Sequence, residues 1–233
     1  MTTILAVETA TPSGGIALFR DGAMLAVHRF ERVRPASETL IPAIKMMLDQ
    51  NEIMVSDLDK MAVSIGPGSF TGLRVGLTAV KTLGVFQGVP VVPVPTLMGM
   101  AHAVGQTDKV VGAILDARKK EVFGAYFRVS DKIERLTDDE VLPVKEFLVK
   151  CPGDETLLVG NGIAEYGEEI AGSGVKCEFA AESLWEPSPE AIGKLVHNEN
   201  LPELSGDEVM KLSPVYIRRS EAELNWKKRH GSS

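Results

Sequence analysis

Apolar and polar positions change period several times along the chain, and each change predicts an element. Ile4 to Val7 is an apolar run, and the Thr-, Ser-, Pro- and Gly-rich stretch after it reads as a turn closing a buried strand. Two further apolar runs, Gly15 to Arg20 and Ala23 to Phe30, flank Asp21-Gly22, a dipeptide suited to a tight hairpin. Helical periods predict helices from Ser37 to Gln50 and from Phe70 to about Phe86, with strands at Met61 to Ile65 and Val89 to Val94. The grammar restarts near Lys109. It predicts strands at Val110 to Leu115 and Glu121 to Val129, a short helix at Val144 to Lys150, a strand at Thr156 to Val159 and a helix at Ala164 to Ile170. From Gly172 to Pro189 the pattern fades to loop, with one edge strand near Val175 to Phe179. Strands alternating with helices after a leading hairpin predict an α/β fold with parallel pairs, built as two units of one duplicated plan. The join is expected near Gly105 to Lys109. This gives lobes over 1–104 and 105–209, with 210–233 packing back on the first.

The first two helices carry more apolar surface than one sheet can cover. At about 100° per residue, Leu40, Ile41, Ala43, Ile44, Met46, Met47 and Leu48 span roughly 220°. Facing a single sheet needs little more than about 100°. In the second helix Phe70, Leu73, Val75, Leu77, Ala79, Val80, Leu83 and Phe86 cover most of the circle, leaving a narrow polar strip with Arg74 and Lys81 at its edge. Gly72 and Gly76, four residues apart, allow another backbone to approach. Either the chain's own second lobe or a partner protein covers these faces, and the partner is favoured. Pro42 requires the first helix to start as late as Thr39 or to bend.

Composition narrows the class. The 233 residues are 44% hydrophobic and 24% charged, a globular profile, and 32 acidic against 25 basic residues leave a net charge of −7. Such a balance argues against a broad nucleic-acid surface. One local exception runs from Lys211 to His230, where Lys211, Arg218, Arg219, Lys227, Lys228 and Arg229 face only Glu221 and Glu223. A solvated end is the simpler reading of it, and a contact with RNA the alternative. Cys151 and Cys177 read as unpaired thiols, and no membrane segment or signal peptide is evident, so a cytoplasmic location is expected.

Candidate chemistry concentrates in Gly66-Pro67-Gly68-Ser69-Phe70-Thr71-Gly72-Leu73-Arg74, between a strand and a helix. Glycines and the free N–H groups of a helix start can cradle an anion. A rigid turn capped by Ser69 explains the same residues equally well. The loop lacks the Gly-Lys-Ser/Thr of a Walker motif. Glu8 and Asp116 each follow a first strand of a unit, where α/β folds place metal–nucleotide chemistry, although Ala117 and Arg118 rather than glycines follow Asp116. The four histidines are isolated, so no metal site is expected.

Together these stretches resemble the TsaB family, also called YeaZ. The resemblance rests on the opening Ile-Leu-Ala-Val-Glu-Thr-Ala-Thr-Pro, the helix Ser-Glu-Thr-Leu-Ile-Pro-Ala-Ile, the loop from Gly66 to Gly76, the stretch Leu115 to Phe123 and the terminal Pro-Val-Tyr-Ile-Arg. It implies the two-lobed fold of the actin, Hsp70 and sugar-kinase superfamily, made of duplicated RNase H-like units. It also implies a non-catalytic part in making threonylcarbamoyladenosine in tRNA, as a degenerate relative of the metal-containing subunit TsaD. TsaD would bind the two apolar helices in a helical bundle, here through Leu40, Ile41, Ile44, Met47, Leu48, Leu73, Leu77, Val80 and Lys81. The ATPase TsaE would join, a homodimer could use the same surface, and tRNA would be met only through the complex. No cofactor of its own is implied, with ATP or ADP a candidate at the TsaD interface. Two positions depart from the family pattern: Glu8 stands for an aspartate and Ala36 for a frequent histidine. The alternative is an ATP-dependent phosphotransferase or ATPase using Glu8, the Gly66 to Arg74 loop and Asp116, and a metallopeptidase is third.

Overall fold

The computed structural model describes residues 1–30, 35–153 and 155–218. Its first unit comprises β1 (Thr3–Glu8), β2 (Gly15–Arg20), β3 (Ala23–Arg29), α1 (Ala36–Gln50), β4 (Lys60–Gly66), α2 (Phe70–Gln87) and β5 (Val91–Pro95). The strands form one sheet in the order β3-β2-β1-β4-β5. The hairpin strands pair antiparallel, and β1, β4 and β5 pair parallel. Asp21 and Gly22 both adopt positive φ, 50° and 79°, the mirror-image turn that matches strand twist.

After α3 (Thr96–Ala103) the second unit contains β6 (Val110–Asp116), β7 (Glu121–Val129), β8 (Ile133–Arg135), β9 (Glu140–Pro143), α4 (Val144–Val149), β10 (Thr156–Val159), α5 (Gly162–Ala171) and β11 (Cys177–Phe179). Its sheet runs β11-β10-β6-β7-β8, with β9 also on β7. Read from the central strand outward, both sheets place an antiparallel hairpin on one side and two parallel strands on the other. The duplicated plan is therefore visible in the topology itself. The chain then adds α6 (Pro189–Asn198) and α7 (Asp207–Lys211).

Alternation along β1 explains the layers. Leu5 and Val7 point to a core with Ile44, Met47, Leu77 and Val80 of α1 and α2, while Ile4 and Ala6 point to the opposite core with Ile192, Leu195 and Val196 of α6. That second apolar face needs a cover, and α6 supplies it. The chain is thus back on the first sheet from Pro189, earlier than the residue 210 expected from sequence. Leu204 then bridges to Val91. The signal for α6 is Ser188-Pro189: the serine hydroxyl accepts from Ala191 N at 3.1 Å and proline occupies the first helical position. The short strands β8 and β9 carried no period long enough to read.

Helix α1 starts at Ala36 and runs through Pro42, so the late start at Thr39 does not occur. Both cysteines are free thiols. Among the described residues no helix is long and apolar enough to cross a membrane.

Candidate functional site

Two features collect the candidate residues: a cleft between the sheets and an outer face on α1 and α2. The cleft, about 430 Å³, is lined on one side by Ala10 to Pro12 and Pro67 to Phe70, and on the other by Leu115 to Arg118 and Asn161. Ser69 caps α2, its hydroxyl accepting from Gly72 N at 3.2 Å. The loop's own backbone is packed against protein: Ser69 N donates to Ala10 O at 2.7 Å, and a β-carbon on Gly66 would lie 2.6 Å from Val215 O.

Of the anion-site candidates, Pro67, Gly68, Ser69, Phe70 and Asp116 line the cleft, whereas Glu8, Gly66, Thr71 and Arg74 do not. Glu8 is fully buried at the end of β1. Its Oε1 accepts from Ala10 N at 2.5 Å and from the Ser64 hydroxyl at 2.9 Å. Burial pushes its carboxyl up from 4.5 to about 7, against the pull of those hydrogen bonds. It is a structural group sealed from the cleft. Asp116 is occupied by its neighbours: Oδ1 accepts from Arg118 N at 2.8 Å and from the Tyr166 hydroxyl at 2.9 Å. Among the described residues no three or more His, Cys, Asp or Glu side chains gather at one point.

A strap missed by periodicity crosses the cleft mouth. Val215 N donates to Ile65 O at 2.8 Å, and Tyr216 stacks on Phe70 with ring centroids 4.4 Å apart. Arg74 lies over the Phe70 ring at 4.0 Å and donates from Nε to the Tyr216 hydroxyl at 2.9 Å. Arg218 reaches the other sheet, bonding Ala117 O and the Glu121 carboxylate. Upstream, Lys81 donates to the carbonyls of Met210 and Leu212 at 2.7 and 2.8 Å. Lys81, expected at a partner interface, instead anchors the returning chain. The expected basic end is split, since Arg219, Lys227, Lys228 and Arg229 lie outside the described residues.

The helix faces also require correction. Leu40, Ile44, Met47, Leu48, Leu73, Leu77 and Val80 are each 0–3% exposed, and all of them but Leu73 pack into the first core, so they are not an exposed contact surface. In α1 the buried set Leu40, Ala43, Ile44, Met47 and Leu48 spans only about 140°. Ile41 and Met46 fall outside this arc, 51% and 45% exposed. On α2 Phe86 is 81% exposed. Between the helices runs a groove of about 460 Å³ whose walls include Ile41, Val75, Thr78, Thr82 and Leu83. Gly72 and Gly76 do admit a close neighbour, but it is the chain's own Thr9. β-Carbons there would lie 2.1 Å from Thr9 O and 2.2 Å from its Oγ1.

Comparison with known proteins agrees with this architecture. The family model described as TsaD, tRNA N6-adenosine threonylcarbamoyltransferase, matches residues 32–226. The "tRNA threonylcarbamoyladenosine biosynthesis protein TsaB" of Escherichia coli is 34% identical over 241 residues, covering 98% of each chain. The protein of the same name from Bacillus subtilis is 28% identical over 228 residues, covering 96% of this chain and 97% of its own. Among solved structures, YeaZ from Pseudomonas aeruginosa superposes with a TM-score of 0.74 at 25% identity, covering 93% of this chain and all of that one. A polyphosphate/ATP-glucomannokinase from Arthrobacter shares the fold alone, with a TM-score of 0.52 at 9% identity over 85% of this chain and 98% of that one. With the TsaD-type domain, the duplicated two-sheet plan and near full-length matches in hand, this chain belongs to the TsaB (YeaZ) family.

Proposed function

We propose that this chain is a non-catalytic subunit of the machinery that makes threonylcarbamoyladenosine in tRNA, and that it holds a TsaD-type partner through the outer face of α1 and α2. The observation that carries the reading is the apolar groove between these helices, lined by half-exposed Ile41, with Phe86 exposed further along α2. A contiguous exposed apolar face on a globular chain marks an interaction site. The buried Glu8 and the tied Asp116 support a scaffold rather than a catalyst. TsaE joining the complex, ATP or ADP at the shared interface, a homodimer through the same helices and tRNA met through the assembly belong to the same proposal, as does a cytoplasmic location.

Co-purification tests it. Ile41→Glu and Phe86→Glu should each abolish recovery of TsaD while the isolated chain keeps its melting temperature. Undiminished recovery with both variants would remove the interface from this face.

A second reading, an ATPase or phosphotransferase, is favoured by the cleft between Ser69 and Asp116. Against it, the strap lines that cleft and Glu8 lies outside it. ATP turnover by the purified chain, abolished by Asp116→Asn in the cleft, would establish this reading in place of the scaffold.

A further inference from the structure

Arg74 belongs to two structures at once. It is the first α2 residue to line the groove between α1 and α2, and its guanidinium also lies over the Phe70 ring at 4.0 Å, with Nε bonded to the Tyr216 hydroxyl at 2.9 Å. Lys81, about two turns further along the helix, has committed its ammonium to the carbonyls of Met210 and Leu212. Arg74 has committed only Nε. The residue is exposed, and its Nη groups make no hydrogen bond or ion pair among the described residues. A guanidinium carries five N–H donors in a planar fork, so the whole Nη edge stays open.

The groove beside this edge is otherwise uncharged. Among the described residues its walls offer apolar Ile41, Val75 and Leu83 and the hydroxyls of Ser37, Thr78 and Thr82, with no carboxylate. From Arg74 to Leu83 the helix rises about 14 Å, enough to seat two to three turns of a partner helix. A chain that fills the groove also covers the guanidinium. A charge taken from water without a counter-charge is strongly unfavourable, so a stable occupant has to bring an acceptor to the Nη edge. In a protein partner that acceptor is a carboxylate, which meets the fork with two parallel bonds. A second copy laying the same groove against this one brings none, since the groove holds no carboxylate. The fork is also set in advance: the Phe70 ring and the Tyr216 hydroxyl fix its plane, which reduces the ordering that docking costs.

We propose that Arg74 clasps a carboxylate of the partner that docks on α1 and α2. The partner being TsaD rests on the function proposed above; the carboxylate rests on the open fork and on the uncharged groove beside it.

The test is the affinity of the purified full chain for purified TsaD by biolayer interferometry, at low and at moderate salt. Arg74→Gln should weaken binding at least about tenfold at low salt. Arg74→Lys keeps the charge without the fork and should lose at least about threefold. Tyr216→Phe removes only the hydroxyl that steadies the fork and should lose no more than about threefold. Salt should weaken the parent more than Arg74→Gln. A scan of TsaD aspartates to asparagine and glutamates to glutamine should find one position whose loss does not add to that of Arg74→Gln. Unchanged TsaD binding by Arg74→Gln, a loss in Tyr216→Phe as large as that in Arg74→Gln, or losses that add at every TsaD carboxylate would each overturn the proposal. Weakened self-association of Arg74→Gln with TsaD binding intact would assign the fork to a second copy and overturn it too. Circular-dichroism melts confirm that each variant is folded. Ile41→Glu keeps the two readings apart: binding lost in Ile41→Glu and intact in Arg74→Gln removes the clasp and leaves the docking face, whereas a parent chain that does not bind TsaD removes both.

Discussion

Glu8 shows how one side chain changes meaning once its surroundings are known. At the end of the first strand it reads as a candidate for nucleotide chemistry, yet it is enclosed with Oε2 unpartnered and its carboxyl pushed up to about 7 by burial. The folded chain keeps this proton to about pH 7, whereas an unfolded glutamate releases it near 4.5. Between these values the unfolded state binds fewer protons, so stability falls as pH rises through the window. The shift corresponds to roughly 3 kcal/mol at pH 8. Glu8→Gln removes the ionisation. In urea unfolding, the variant should gain about that much on the parent between pH 5 and pH 8, and a difference independent of pH would contradict the assignment. Gly72 makes the complementary case for a residue defined by what it lacks. Alanine there would press a β-carbon against the Thr9 carbonyl, and neither backbone can yield cheaply. A loss of about 2–3 kcal/mol is expected, despite about 1 kcal/mol of better helix propensity. If the glycine were instead kept open for a partner, alanine would stabilise the isolated chain.

At the scale of elements, the helices separate two roles that a helical wheel merges. Ile44 is 3% exposed in the first core, and Ile41, three residues earlier, is 51% exposed. Ile44→Glu buries an unpaired charge and should unfold the chain, at about 4 kcal/mol or more. Ile41→Glu should cost less than about 1 kcal/mol, since half of the side chain already meets solvent and the glutamate can reach water. Circular-dichroism melts of the two variants distinguish them, and equal stability would mean that the α1 burial is misassigned. The excess apolar arc was legible in the sequence as an amount of surface but not as an assignment of residues. The wheel counts apolar positions, and which of them meet the sheet depends on the angle at which the helix docks. Strand and helix periods were long enough to place β1, β2, β6, β7 and β10 nearly to the residue. By contrast β8 and β9 are three and four residues long, too short for any period to show. Helix α6 was missed although its Ser-Pro start is a local signal, because its partner sheet lies far away in sequence.

In the whole molecule, the strap turns two similar units into one mechanical body. Its sequence, Pro-Val-Tyr-Ile-Arg, has no period and makes no regular element, so only the fold shows what it touches. Tyr216 and Arg74 form a layered contact with Phe70 on the first unit, and Arg218 grips the β6–β7 turn of the second. The aromatic stack is worth about 0.5–1.5 kcal/mol and the Arg74–Tyr216 hydrogen bond a comparable amount, small against global stability but large for a local opening. Cutting one end should therefore loosen the other without unfolding the chain. Tyr216→Ala is expected to raise amide exchange at Gly68 to Phe70 and also at Ala117 to Glu121, although the second stretch belongs to the other sheet and does not touch Tyr216 in the contacts described. A double-mutant cycle of Arg74→Ala with Tyr216→Ala should give a coupling of about 1 kcal/mol, because the guanidinium and the ring share Phe70 and one hydrogen bond. Exchange that rises only at Gly68 to Phe70 would mean that the two sheets are held together by α3 and α6 instead, and that the strap merely covers the cleft.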